Sequence, residues 1–327
     1  MSEPFTVYFK PTNRCNMKCQ HCYHAMMGYS ADMTDDVFER SIAWINGLKK
    51  QNRFIFAQLH GGEPMLYDIK KLHTMVDSTV SDNLSWGVTT NLVYDLTQDK
   101  IDLFYKCKPY GTPFIQTSWD YLIRFRSSQE ETWETNVKCL LSKGINVQPT
   151  FCVTKQLIND LSPKAVLDRF LNLGVDHVGI ERITNTGRAK EGLLTPKNSL
   201  MDKWLFECYL YYKELDGKLS IPLFEGIEQS IRGNYIGCRS RRCTKTVFTI
   251  NVDGSIGSCP NTANYAPNNV KTIKIVPSKL SKAEETNHTS CFMCEYFNFC
   301  RGDCFQLAFD ETGCPGLKSI YAHLLKK

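Results

Sequence analysis

The chain has 327 residues, 42% of them hydrophobic and 22% charged, and a formal charge of +5. This is globular composition, long enough for one large core or two domains, and it excludes an intrinsically disordered chain. No run of eighteen apolar residues and no basic-then-apolar leader is present, so the expected compartment is the cytoplasm, with no membrane association; the mild positive charge carries no nucleic-acid footprint.

In chain order, six short β-branched or aromatic runs read as strands: 5–9, 54–59, 86–90, 114–118, 147–153 and 177–183. Between them lie helical patterns. In the first, Thr34 can cap, Asp35 and Asp36 suit the positive helix end, and Phe38, Ile42, Ile45 and Leu48 form one apolar stripe. Further helices begin near Asp68, Thr97, Gln129, Ser162 and Asn198. Six strand–helix repeats argue for an α/β fold with a parallel sheet, a partial (β/α)6 TIM-like barrel whose chemistry collects at the carboxyl ends of the strands. The expected barrel is 1–215. From 216 to 327 helical periodicity fades and Gly, Asn, Pro and Cys become frequent, the texture of a small cysteine-rich α+β domain. There "TVFTINVDGSIGSC" reads as a hairpin with Asp253 and Gly254 both at positive-φ turn positions. With a barrel strand starting at residue 5, no large leader-binding domain is expected before it.

Fifteen cysteines in a long chain without an export signal, clustered at ligand spacing, point to metal or iron–sulfur ligation rather than disulfides. Cys15, Cys19 and Cys22 stand in the long loop after the first strand. Three thiols leave a tetrahedral site one ligand short. One completion is a zinc site closed by His21 or His24.

The other is suggested by the spacing C-x3-C-x2-C, which resembles the loop of the radical S-adenosylmethionine (SAM) superfamily. The resemblance implies three thiolates on a [4Fe-4S] cluster whose fourth iron is chelated by SAM. Three more stretches extend it: "HGGEP" after strand two, "TTN" at 89–91 and "QTSWD" at 116–120. By the resemblance, Gly61 and Gly62 let backbone approach the methionine moiety and Glu63 accepts from its ammonium; Asn91, Ser118 and Asp120 contact ribose and carboxylate. Arg126 can offer a bidentate fork to the SAM carboxylate. "ERITNTGRA" resembles the last barrel strand, with Glu181 or Arg182 toward SAM or substrate. Two departures stand out: His21 replaces the usual Tyr or Phe, keeping a flat ring for the adenine side, and Thr-Asn-Leu replaces Thr-Asn-Gly.

In the second domain Cys238, Cys243, Cys259, Cys291, Cys294, Cys300, Cys304 and Cys314 resemble the SPASM pattern of twin auxiliary clusters. The resemblance assigns Cys238, Cys243, Cys259 and Cys304 to one [4Fe-4S] cluster and Cys291, Cys294, Cys300 and Cys314 to a second, three clusters in all. A pair of zinc ribbons is the plainer alternative. Cys107, Cys139, Cys152 and Cys208 read as core filler.

Such an enzyme cleaves SAM reductively to a 5′-deoxyadenosyl radical, which removes hydrogen from an unactivated C–H bond; the clusters with four thiolates then accept the electron left on the substrate. A closed apolar interior is expected to guard the radical. The implied substrate is a peptide or protein side chain, dehydrogenated or cross-linked, with a separate leader-recognition protein and a flavodoxin- or ferredoxin-type reductant as further partners. Pro260 stands where sulfatase maturases carry an Asp base, which counts against formylglycine formation. The other readings are the same chemistry on a sugar or modified nucleoside, and a non-catalytic iron–sulfur or zinc scaffold.

Overall fold

The computed structural model describes residues 3–24, 31–184, 186–235, 243–261, 274–275 and 289–326. Six strands form the barrel wall: β1 (Phe5–Phe9), β2 (Ile55–Leu59), β3 (Leu84–Val88), β4 (Phe114–Ser118), β5 (Asn146–Val153) and β6 (Gly179–Arg182). They are the six expected from the sequence, and all pair parallel within two sheets, β1–β2–β3 and β4–β5–β6. A bridge from Thr89 to Gln116 joins the two sheets, so the wall runs through all six strands in order.

Alternation decides the two faces of the wall. Phe5, Val7 and Phe9 of β1, with Ile55, Ala57 and Leu59 of β2, are buried under the helices. The helices follow the strands: α1 (Asp35–Leu48), α2 (Ile69–Thr79), α3 (Gln98–Lys106), α4 (Gln129–Ser142), α5 (Lys155–Asp160), α6 (Pro163–Leu173) and α7 (Asn198–Glu214). Their starts are chemically marked. The Thr34 side chain accepts from Val37 N at α1, Asp68 accepts from Lys70 N at α2, and Ser162 accepts from Ala165 N ahead of Pro163 at α6.

The inward face mixes polar side chains with the aromatic Tyr8, Phe56 and Phe114, so the interior is only partly the apolar one expected. Gln58 Nε2 donates to Gln116 Oε1 at 3.1 Å, and Gln116 Nε2 donates to Gln148 Oε1 at 2.9 Å. These amides use one another as partners, which removes most of the cost of burying them.

The C-terminal third covers both open edges of the wall. Strand β7 (Val247–Ile250) pairs parallel with β1, Thr6 opposite Val247 and Phe9 opposite Ile250. Strand β8 (Ser255–Gly257) returns antiparallel to β7. At the far edge, Val178 N donates to Ser220 O, just before a helix, α8 (Pro222–Ile231), that the fading periodicity did not signal. The expected boundary at 215/216 falls between α7 and α8. In the hairpin turn only Gly254 has positive φ, +82°. Asp253 instead accepts from Ser255 N and Ser255 Oγ through Oδ1, and this side-chain turn does the work expected of a second left-handed residue.

Candidate active site

The cysteine triplet lies in the loop leaving β1, at the carboxyl end of the barrel, and the chain grips that loop from both sides. On one side Gly62 N donates to Thr12 O at 2.9 Å and Glu63 N to Arg14 O at 2.8 Å. A Cβ on Gly61, whose φ is +136°, would lie 2.4 Å from Thr12 O, and one on Gly62 2.2 Å from Arg14 O. The double glycine therefore admits the cysteine loop's own backbone, a use that comes before any approach to methionine. On the other side Arg188 N donates to Cys22 O and Arg188 Nη1 to Cys19 O, each at 3.2 Å. A Cβ on Gly187 would meet Tyr23 Cα at 2.3 Å. Gly187 and Arg188 stand in a stretch that reads locally as strand; their grip on the loop arises only where the segment after β6 reaches across the barrel mouth to Cys19 and Cys22.

Glu63 is 1% exposed, and its side chain ties its own turn to the segment after β3. Oε1 accepts from Met65 N at 3.0 Å and Thr90 Oγ1 at 2.7 Å, and Oε2 accepts from Asn91 N at 2.6 Å. Burial pushes its carboxyl up to about 7, outweighing these three donors. Asn91 donates through Nδ2 to Asn16 Oδ1 at 2.7 Å and lies 3.8 Å from Cys15 Sγ, so its side chain is already part of the loop's scaffold.

Donors also reach the sulfurs. Met17 N lies 3.4 Å from Cys15 Sγ, and Arg124 Nη1 lies 3.4 Å from Cys19 Sγ. Arg126 is exposed, its backbone N bonded to Gln129 Oε1, and Arg124, two residues earlier, is the arginine that reaches a loop sulfur. Arg124 Nε also donates to Ser118 O at 2.9 Å. Asp120 is 2% exposed; it lies 3.2 Å from His21 Nε2 and 3.4 Å from Arg124 Nη1, and accepts from Cys152 N at 2.8 Å. Burial opposes its charge, but His21 and Arg124 hold it well below the usual carboxylate range. Cys152 shares this corner: potential ligand atoms of His21, Asp120 and Cys152 lie within 4.8 Å of one another. It lines the barrel interior rather than filling the core, because β5 turns it inward opposite Glu181. Glu181 is accessible within that interior, and burial raises its carboxyl. Cys107 and Cys208 are core residues as expected.

Arg182 points elsewhere. Its guanidinium forks onto both Asp303 oxygens at 2.7 and 2.8 Å and donates to Pro315 O at 3.1 Å. Burial opposes the charge and Asp303 restores it, keeping Arg182 firmly protonated. It joins β6 to the residues beside Cys304 and Cys314, so its expected place toward SAM or substrate is corrected.

A second polar group gathers at the barrel mouth. Lys10, fully buried at the end of β1, donates through Nζ to Pro260 O at 3.1 Å and lies 5.6 Å from the Tyr23 ring centre. Tyr23 Oη is 3.2 Å from His60 Nε2, and His60 Nδ1 accepts from Gly61 N. Among the described residues, neither buried ring nitrogen of His24 has a hydrogen-bond partner.

The cysteine sets can be tested for fit to a cluster. Cys291, Cys294, Cys300 and Cys314 all line one cavity of about 240 Å³. A Cβ on Gly316 would sit 3.4 Å from Cys300 Sγ and 3.6 Å from Cys314 Sγ, so glycine keeps this pocket clear of side chain. Four thiols converging on one cavity fit a closed metal centre. Of the other set, Cys259 Sγ accepts from Gln306 Nε2 at 3.3 Å; Cys243 and Cys304 are half-buried, and Cys238 lies outside the described residues.

No protein-family model and no curated protein matches the chain. Solved structures do. Native anSMEcpe with bound AdoMet and the Cp18Cys peptide matches at TM-score 0.77 and 18% identity, covering 99% of this chain and 97% of that one. Native anSMEcpe with bound AdoMet gives 0.77 at 19% identity, over 99% and 98%. Streptococcus suis SuiB bound to precursor peptide SuiA gives 0.65 at 15% identity, over 93% and 72%. The barrel and the cysteine-rich segment that closes its edges thus form one architecture, and by fold this chain stands with anSMEcpe and SuiB.

Proposed function

We propose that the chain is a radical SAM enzyme that oxidises a peptide or protein side chain. The observation that carries this reading is the clamping of the Cys15–Cys19–Cys22 loop at the barrel mouth from two sides, with a second, four-thiol cavity in the same chain. A zinc scaffold has no use for such a loop beside a partly polar barrel interior. When bound, a [4Fe-4S] cluster and SAM supply one-electron cleavage of the sulfonium and a carbon radical able to take hydrogen from a C–H bond.

The chain's own residues hold and shield that chemistry. Cys15, Cys19 and Cys22 hold the cluster, while Arg124, Met17 N and Asn91 direct donors or side chains at two of their sulfurs. Glu63 fixes Thr90 and Asn91 against the loop, so its contribution to SAM binding is to set the walls of the site. Gly61 and Gly62, Ser118, Asp120, His21 and Glu181 line or support the same mouth. Cys291, Cys294, Cys300 and Cys314 hold one auxiliary cluster; Cys243, Cys259, Cys304 and Cys238 hold the other. A peptide substrate is supported by the precursor peptide on SuiB and the Cp18Cys peptide on anSMEcpe. The ring nitrogens of His24, which have no partner among the described residues, suit a polar substrate group at the mouth.

Anaerobic reconstitution with iron and sulfide, followed by dithionite and SAM, tests the reading. Release of 5′-deoxyadenosine is expected, abolished in Cys22→Ala; Cys300→Ala should keep some cleavage and lose oxidised product. Colourless protein that takes up zinc and releases no 5′-deoxyadenosine overturns it.

A further inference from the structure

Lys10 touches the residue that follows a proposed ligand on each side. Its Nζ donates to the carbonyl of Pro260, next to Cys259, and it lies over the ring of Tyr23, next to Cys22. A single side chain therefore spans from the SAM-cluster loop to the hairpin cysteine of the auxiliary set. Lys10 is fully buried. Burial pushes its ammonium down to about 7, even with the thiols of Cys259 and Cys22 acting in the opposite direction. Its imidazole neighbours add no positive charge: burial, and then Lys10 itself, push His24 and His60 well below their usual range, His60 to about 3. Thiolates held by metal on both sides would keep the ammonium charged.

We infer that Lys10 is a positioning residue that fastens the Cys259 hairpin to the Cys22 loop and, through its charge, makes the auxiliary cluster held by Cys259 a better electron acceptor. The inference rests on reading Cys259 as a cluster ligand. After hydrogen-atom transfer to the 5′-deoxyadenosyl carbon, completing a two-electron oxidation requires the substrate radical to give one proton to water and one electron to that cluster. A buried positive charge stabilises the reduced, more negative cluster and so favours the transfer. Sequence alone hides this link, because Lys10 and Pro260 are 250 positions apart.

The test uses anaerobically reconstituted wild type, Lys10→Met and Lys10→Arg. The readouts are iron content, circular dichroism and an electron paramagnetic resonance redox titration, in which the SAM-binding cluster is identified by its change on adding SAM. Lys10→Met should keep its fold and its iron, yet show at least a tenfold smaller equilibrium constant for reducing the auxiliary cluster, a drop of about 59 mV for one electron. Lys10→Arg should stay near wild type. Loss of auxiliary iron in Lys10→Met alone, with the fold intact, equally supports the fastening role. An unchanged potential at full iron content in Lys10→Met, or equal losses in both variants, overturns the inference. Wild type that assembles no cluster overturns the reading of Cys259 beneath it.

Discussion

The two cysteine regions are built on opposite principles. The Cys15–Cys22 loop is held by the rest of the barrel: Gly62 and Glu63 bond its start, Arg188 its end, and Arg124 one of its sulfurs. The Cys291–Cys314 region has little framework of its own. Its described helices, Thr289–Phe292 and Phe297–Cys300, are four residues each, and its cysteines line a cavity where a core would be. The difference teaches that the first loop can be organised before anything binds, whereas the second region, on the proposed reading, would take its centre from a bound metal.

Removing iron should break that comparison most visibly. With a chelator under reducing conditions, amides in 289–316 are expected to lose hydrogen-exchange protection, while β1 to β6 keep theirs. Equal loss in both regions would show that the barrel loop also needs its metal.

The next effect in size lies at the junction between the regions. Arg182 and Asp303 are 8% and 1% exposed, so Arg182→Met strands a buried carboxylate. Denaturant unfolding should register a loss of about 3–5 kcal/mol. The double change Arg182→Met with Asp303→Leu should recover most of it, because no unpaired charge remains.

Glu63 sharpens the comparison through pH. Its carboxyl is raised from 4.5 to about 7 by burial. Across that window the folded chain keeps a proton that the unfolded chain has shed, so this group's contribution to stability falls as pH rises and levels off above about 7. The slope approaches 1.4 kcal/mol per pH unit, by a rough full-proton estimate. Glu63→Gln should flatten stability-versus-pH over this interval, measured by thermal or denaturant unfolding at several pH values. A slope unchanged by the substitution would place the titration elsewhere.

The smallest effect is expected at the surface link between the same two regions. Lys197 and Glu311 are 61% and 71% exposed, so Lys197→Ala should leave the unfolding midpoint within experimental scatter. A loss rivalling that of Arg182→Met would mean that exposed charge, and not burial, sets the strength of this junction.

Much of the fold was legible because it rests on local pattern. The six strands came from short β-branched runs, and Thr34, Asp68 and Ser162 marked helix starts because a side-chain oxygen satisfies a bare backbone N–H wherever it precedes a helix. Helix α8 was missed because its ten residues begin in a stretch dominated by Gly and Pro signals. The sulfur motifs were legible for the same local reason, since ligand spacing survives in a linear string. Arg124, Arg188, Lys10 and the inward Cys152 were not, as each gains its meaning from a strand or loop far away in sequence.

The chain's own order of residues therefore determined the parallel partial barrel, the loop after the first strand that bears three thiols, and the cysteine-rich end. Only the tertiary structure decided that β7 would extend the barrel wall beside β1, that Arg182 would face Asp303, and that Gly61 and Gly62 would make room for the chain's own backbone. The physical reason is range. Turn chemistry, capping and ligand spacing act over a few residues, whereas a buried charge or a close backbone approach finds its partner only after the sheet has brought distant segments together.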